Sequence, residues 1–312
     1  MEGNTPFFSV VIPLYNKGNY ITTCLDSVLN QDFSNFEIII VDDGSTDDSI
    51  NKIKKFDDER IIIEQQENKG AAAARNKGVE IAKAKWIAFL DADDLWLENH
   101  LAELFLAIQE FPKESVFTSR LGIIRQHKQI DLAQYNFKLK SETQLLSYFE
   151  NSIKSDLLNT SGIVIEKAFF KKLNGFDEQI YSGQDTDLFI RIGLEKKIVF
   201  SSKNTFLYCE YSENNISKTP RFKERLALLD AYQLKAENNP ALEKYLDLNR
   251  FSIYLRSKMY GDDTWKQAKQ KINKKNLTKK QLGLMLLPKL MLQNLKYIQL
   301  KLSSLGIKKS VF

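Results

Sequence analysis

Three carboxylates, Asp91, Asp93 and Asp94, crowd around one alanine directly after the apolar run Trp86-Ile-Ala-Phe-Leu90. Like charges packed this closely call for a cation, and hard oxygen donors suit a divalent ion such as Mn²⁺ or Mg²⁺ bridged to phosphate. A buried strand of an open α/β sheet delivers its C-terminal end to the crevice where such folds bind ligands. The first expectation is therefore a metal-assisted, nucleotide-handling site at Asp91 and Asp93. A blander alternative has Asp93 or Asp94 capping a helix over 95–111, which accounts for one acid but not for three.

Three more segments close apolar runs in the same way. Pro13-Leu14-Tyr15-Asn16 ends the run that begins at Phe8, and Asp42-Asp43-Gly44-Ser45 ends the run from Phe36 to Val41. Asn68-Lys69-Gly70, leading to Arg75-Asn76, follows a third. Asp43 could accept hydrogen bonds from a base N–H or a ribose hydroxyl, and Gly44 allows close backbone approach to a ligand. The planar fork of Arg75 fits a pyrophosphate or a carboxylate. Each segment alone has an ordinary explanation, because Asp-Gly-Ser is a common turn and an arginine can simply solvate a helix. Four in chain order are hard to ascribe to coincidence.

These segments need a scaffold, and the spacing of apolar residues predicts one. Strand signals near Phe8, Phe36, Arg60 and Trp86 alternate with helix signals over 20–29, 47–55 and 70–82. Such alternation predicts an α/β fold with a mostly parallel sheet flanked by helices. Further strands are predicted over 117–124 and 162–165. Helices are predicted over 166–173, stopped by Asn174-Gly175, and over 187–194. Beyond Ser212 only helical signals remain, over 221–237, 241–259 and 266–297 onward, so a boundary is expected near 212–218.

Composition sets outer bounds. The 312 residues are 43% hydrophobic and 27% charged, as in ordinary globular proteins. Two cysteines, Cys24 and Cys209, give neither a disulfide framework nor metal-ligand spacing and suit a reducing cytoplasm. The short polar start, Met1 to Pro6, does not read as a secretory leader, and no apolar run reaches membrane-spanning length. Residues 1–212 hold 24 Lys+Arg against 32 Asp+Glu, whereas 213–312 hold 21 against 8. From Thr264 onward there are 12 lysines and no acid. That asymmetry predicts two parts with different partners.

The order Ser9-Val-Val-Ile-Pro-Leu-Tyr-Asn16, Val41-Asp-Asp-Gly-Ser-Thr-Asp47, Asn68-Lys-Gly through Ala74-Arg-Asn76 and Leu90-Asp-Ala-Asp-Asp94 resembles family 2 glycosyltransferases of the GT-A fold. The likeness continues through Asn174-Gly-Phe-Asp-Glu178 and Ser182-Gly-Gln-Asp-Thr-Asp-Leu188 to about Ser212. It implies a GT-A catalytic domain over 1–212, with a nucleotide-sugar part at about 6–110 and an acceptor part at about 111–212, and a basic helical region over 213–312. It implies an inverting transfer from a nucleotide-sugar donor, expected to be a UDP-sugar, to a hydroxyl of a glycan or lipid-linked glycan, as in bacterial surface polysaccharide synthesis.

By the same resemblance Pro13, Tyr15 and Asp43 bound the base. Asp42 and Arg75 support the nucleotide and its diphosphate. Asp93 meets the metal, Mn²⁺ or Mg²⁺, and Asp91 the ribose or the metal. The catalytic base falls on Asp185, with Gln184 standing where relatives carry Glu and Asp187 as a rival carboxylate. Many relatives also supply a histidine from a Tyr-x-x-His segment. Here that stretch reads Tyr208-Cys-Glu-Tyr211, so Glu210 substitutes or the metal relies on Asp93, diphosphate and water. The two histidines, His100 and His127, read as ordinary helix and loop residues.

Two rival functions remain at this stage. One is a catalytically silent relative that binds nucleotide-sugar or glycan as a partner subunit. The other is a phosphoacceptor receiver domain, disfavoured because a full strand–helix unit precedes Asp42-Asp43. A Gln-x-x-Arg-Trp motif and membrane spans, both found in processive family polymerases, are absent from the sequence. In the tail, Leu284, Leu287, Met291, Leu295, Ile298, Leu302 and Leu305 form a helical stripe flanked by Lys289, Lys296, Lys301, Lys308 and Lys309. It suits peripheral attachment to an anionic membrane on its inner, cytoplasmic face. It equally suits packing on the catalytic domain or a homo-oligomer contact. Nucleic acid is not expected, because the lysines lack interleaved aromatics and a recognised fold.

Overall fold

The computed structural model describes residues 5–125, 130–213 and 220–304. His127, residues 214–217 and the tail positions Leu305, Lys308 and Lys309 lie outside the described residues. The chain divides into two compact units, Met1–Asn215 and Ile216–Phe312.

The first unit opens with β1 (Phe8–Leu14), α1 (Ile21–Leu29), β2 (Phe36–Asp42), α2 (Ser49–Ile53), β3 (Ile61–Gln65), α3 (Ala71–Ile81) and β4 (Trp86–Phe89). β2 is buried along its whole length and β1 everywhere but Pro13. Such near-continuous burial marks strands covered on both faces. α1 buries Ile21, Cys24, Leu25 and Val28, one helical stripe. α3 lies close on β1, where a Cβ on Gly78 would meet Val11 Cγ1 at 2.4 Å.

The unit continues with β5 (Leu95–Trp96), α4 (His100–Glu110), β6 (Val116–Ile124), β7 (Ile130–Leu132), β8 (Thr143–Leu146), α5 (Tyr148–Asn151), β9 (Ile163–Glu166), α6 (Lys167–Lys172), α7 (Gln184–Glu195) and β10 (Ile198–Cys209). The described strands form one mixed sheet in the order β3-β2-β1-β4-β9-β6-β10-β5, with β7 beside β6 and β8 beside β10. β3, β2, β1 and β4 run parallel, as the alternation predicts. β9 then inserts antiparallel between β4 and β6.

Two predictions for this unit need correction. The helix expected over 95–111 begins only at His100, because Leu95 and Trp96 pair as strand β5 with Leu207 and Phe206 of β10. β10 itself was missed. Its register shifts between Ser201 and Phe206 break the alternation that would have signalled a strand.

The second unit is helical: α8 (Phe222–Ala231), α9 (Gln233–Ala236), α10 (Pro240–Tyr260), α11 (Thr264–Lys271), α12 (Lys279–Leu286) and α13 (Lys289–Ser304). α10 starts on an Asn239 cap with Pro240 in its first turn and stops at Gly261 in the left-handed region. At its centre Arg250, 1% exposed, reaches Asp230 at 3.1 Å and Asp247 at 3.4 Å. The predicted single helix from 266 onward is three helices. Ile272 turns extended and buried, Thr278 restarts the chain with a capping box, and Pro288 separates α12 from α13. Among the described residues no helix is long and apolar enough to cross a membrane.

Candidate active site

The ends of β1, β2 and β4 and the start of α3 bring the acidic and basic candidates together. Asp91 follows β4, and its Oδ1 accepts a hydrogen bond of 2.5 Å from Arg75 Nη2. Arg75 side-chain exposure is 9%, and its guanidinium lies 5.1 Å from the Phe176 ring centroid. Its Nε is buried with no hydrogen-bond partner among the described residues. A guanidinium offers five N–H donors in a fixed fork, so Arg75 is held in place with donors to spare.

What holds it is a clip between two motifs. Asn76 Oδ1 accepts from Phe176 N at 2.9 Å, while Asn76 Nδ2 donates to Phe176 O at 2.9 Å and to Glu178 Oε1 at 2.8 Å. Arg75-Asn76 thus fastens the Asn174-Gly-Phe-Asp turn against α3. That turn needs glycine: Gly175 has φ +64°, and a Cβ there would stand 2.6 Å from Asn76 Oδ1.

The three acids have different tasks. Asp94 is buried; its Oδ1 accepts from Cys209 N at 2.9 Å and its Oδ2 from Ser161 Oγ at 2.5 Å. It pins β9 and β10 under the turn instead of capping a helix. Burial, and then the charges of Asp93 and Asp91, push its carboxyl well above the usual range. Asp93 is 12% exposed and pairs with Lys17 Nζ at 2.6 Å. No sequence signal was drawn from Lys17, although it directly follows the Tyr15-Asn16 segment that ends the first strand.

The other predicted positions are equally specific. Pro13 is half-buried in β1, and Tyr15 just beyond it is 47% exposed. Asp42 is buried and accepts from Ser45 N at 3.2 Å and Gln65 Nε2 at 3.3 Å. Asp43, also buried, accepts from Gln66 Nε2, Lys69 N and Gly70 N at 2.7–2.8 Å, so it fixes the loop before α3. Gly44, at φ +75°, lets that turn approach Asn68.

Asp185 stands exposed in the first turn of α7, where Gly183, not an acid, holds the N-cap position. Its neighbour Gln184 is half-buried. The rival Asp187 is committed elsewhere: Arg191 binds its Oδ2 at 2.5 Å and spans to the carbonyls of Leu173 and Gly175. Glu210 lies 3.3 Å from Arg125. His100 is fully buried, bonded to Thr205 Oγ1 at 2.7 Å, and burial lowers its pKa to about 3. It is a neutral core residue.

Among the described residues no group of three or more His, Cys, Asp and Glu could hold a metal ion. Asp91 and Asp93 offer two carboxylates, one engaged by Arg75 and the other by Lys17. Hard oxygen donors of this kind fit an Mg²⁺ or Mn²⁺ that keeps several waters and takes its remaining ligands from phosphate oxygens.

The family described as "Glycosyl transferase family 2" matches residues 9–171. Glycosyltransferase GlyG of Streptococcus pneumoniae is 32% identical over 216 residues, 64% of this chain and 69% of that protein. The putative teichuronic acid biosynthesis glycosyltransferase TuaG of Bacillus subtilis is 43% identical over 99 residues, 31% of this chain and 39% of that protein. The chain spans about a third of the length of several other curated relatives. Among solved structures, S. aureus TarS 1-349 in complex with UDP-GlcNAc superposes with a TM-score of 0.69 at 21% identity, covering 86% of this chain and 82% of that one. That likeness is one of fold.

Proposed function

We propose, from the premise that this chain belongs to glycosyl transferase family 2, that it transfers a sugar with inversion from a nucleotide donor, a UDP-sugar, to a hydroxyl of a glycan or lipid-linked glycan. The setting is synthesis of a bacterial surface polysaccharide, the kind of process named for TuaG. The observation that carries the reading is Arg75, buried at the strand ends beside Asp91 with its Nε unpartnered among the described residues. A diphosphate would supply the missing acceptors in the geometry a guanidinium prefers.

In this reading Tyr15 and Pro13 bound the base, while Asp42 and Asp43 shape the turn beneath it. Arg75 orients the diphosphate and offsets the charge that gathers on it as the glycosidic C–O bond breaks. Asp185 takes the proton of the acceptor hydroxyl, whose oxygen forms the new bond to the anomeric carbon from the opposite face. Gln184 helps position the acceptor. Asp187 acts through Arg191, which keeps the first turn of α7 in place. A divalent metal held by Asp93 and Asp91 would supply further charge neutralisation at the diphosphate.

The test is a panel of UDP-, GDP- and dTDP-sugars with Mn²⁺ or Mg²⁺, read as release of free nucleoside diphosphate. One donor class should be consumed, and Asp185→Asn should slow release by about 10²–10⁴-fold with nucleotide affinity unchanged. Donor bound but never consumed by the wild type would favour the silent binding partner. No binding at all contradicts both.

The helical unit suggests where the acceptor is met. α13 turns Leu290, Met291, Tyr297 and Ile298 to solvent at exposures of 72%, 51%, 67% and 49%, and Leu286 at the end of α12 is 84% exposed. Lys289, Lys296 and Lys301 accompany them in a region without acids. An apolar face rimmed by lysines suits the interface of an anionic bilayer, a peripheral attachment at the cytoplasmic leaflet. Sedimentation with vesicles containing anionic lipid, and its loss in Leu290→Glu/Tyr297→Glu, would support this. A concentration-dependent mass change without vesicle binding would assign the face to a second copy.

A further inference from the structure

We propose that Lys17 is a built-in occupant of the metal position: in the ligand-free protein its ammonium serves as the counter-ion of Asp93, and it must withdraw before a divalent cation can bind there. This rests on the reading that Asp93 meets the metal.

The placement of Lys17 is constructed. Its neighbour Asn16 has φ +49°, an uncommon conformation for a residue with a side chain. Asn16 is secured by Ser45 Oγ on its N–H at 3.0 Å and by its own Oδ1 accepting from Thr46 N at 2.7 Å. Lys17 N donates to Ser49 Oγ at 3.1 Å, and Lys17 O accepts from Tyr20 N and Ile21 N at 2.9 Å. From this fixed backbone Nζ reaches Asp93 Oδ2 at 2.6 Å and the Glu213 carbonyl at 2.8 Å. Glu213 N in turn donates to Tyr20 Oη at 3.1 Å. The ammonium therefore bridges the acidic turn to the segment after β10, and both partners of the ion pair are largely buried, at 14% and 12% exposure.

A carboxylate this buried is costly without a partner, so a lysine there stabilises the ligand-free site. The same lysine opposes a metal. An ammonium hydrogen-bonded to Asp93 and a divalent ion ligated by it would be two cations on one carboxylate, at a separation where repulsion is strong. Metal alone must therefore take Asp93 from Lys17 at the cost of that ion pair. A nucleoside diphosphate changes this, because its phosphate oxygens accept the released ammonium, a compact charge on a flexible stem. The consequence is coupling: metal and nucleotide each bind more tightly in the presence of the other.

The experiment measures Mn²⁺ binding by the electron spin resonance of free Mn²⁺, for wild type, Lys17→Met and Lys17→Arg, with and without UDP. Without UDP, Lys17→Met should bind Mn²⁺ about tenfold more tightly than wild type, and Lys17→Arg, which restores the cation, should bind as weakly as wild type. UDP should raise the Mn²⁺ affinity of the wild type by a larger factor than that of Lys17→Met. Thermal unfolding of each variant confirms that folded protein is compared, with Lys17→Gln as the substitute if Lys17→Met does not fold. Equal or weaker Mn²⁺ binding by Lys17→Met without UDP overturns the proposal and leaves the metal at Asp93 standing. Undetectable Mn²⁺ binding in every variant, with UDP present, overturns both.

Discussion

Two buried arginines, one in each unit, show how alike environments serve different ends. Arg75 and Arg250 are both nearly inaccessible, at 9% and 1% exposure, and among the described residues each leaves Nε without a partner. Arg250 faces two carboxylates, Asp230 and Asp247, and Lys271 also pairs with Asp230, so two cations meet two anions inside the helical unit. Arg75 faces one carboxylate, across a sheet-end crevice that also gathers Asp93 and Asp94. A closed set of charges stabilises a fold; an open one waits for a ligand. The difference lies in how many donors remain unspent and whether they sit at strand ends, where α/β sheets bind ligands.

That contrast can be broken by substitution. Arg250→Met should leave Asp247 buried without its cation and cost about 3–5 kcal/mol, measured by denaturant unfolding, while UDP affinity stays as in wild type. A fall in UDP affinity in folded Arg250→Met protein would erase the distinction between the two arginines. On the other side, Gly175→Ala should cost about 1–2 kcal/mol, because the residue must adopt a left-handed backbone against Asn76. By loosening the Phe176 ring beneath Arg75 it should also weaken UDP binding, which calorimetry reads directly.

A third effect concerns pH. His100 has its pKa lowered to about 3 by burial, against 6.5 in the unfolded chain. Between those values the unfolded state binds a proton that the folded state refuses, so this contribution to stability is complete above pH 6.5 and falls as pH drops toward 3. The slope should reach about 1.4 kcal/mol per pH unit. Comparing wild type with His100→Phe in unfolding curves from pH 7 to pH 4 should show the slope of the variant reduced by that amount. Equal slopes would mean His100 is protonated in place and is not the neutral core residue described above.

The same two units differ in how far their sequences could be read. β1, β2 and β4 announce themselves as apolar runs, and polar residues at their ends point to a crevice, so Asp91, Asp93 and Arg75 are legible in the sequence. Their pairing is not. Arg75-Asn76 and Asn174-Gly-Phe-Asp are 100 residues apart in the chain, and nothing local says that Asn76 clips the Phe176 backbone. Lys17 was invisible for another reason: a lysine in a turn ordinarily reads as solvated, and only the fold carries Asp93 to it. In the acidic triplet the sequence could not tell that Asp94 would be spent on Ser161 and Cys209, because β10 was hidden by its irregular centre. The helical unit shows the limit of periodicity. The tail stripe runs across Pro288, and the structure splits it between buried Leu284 and exposed Met291 and Ile298.

The central claim is that the under-satisfied Arg75 marks the diphosphate site. Calorimetric titration of UDP with Mn²⁺ into wild type and Arg75→Ala tests it most directly. Loss of charge-assisted hydrogen bonds to phosphate should weaken UDP by about 10- to 100-fold in Arg75→Ala, with the protein still folded. Wild-type affinity in Arg75→Ala would contradict the account, because the diphosphate would then have to lie elsewhere.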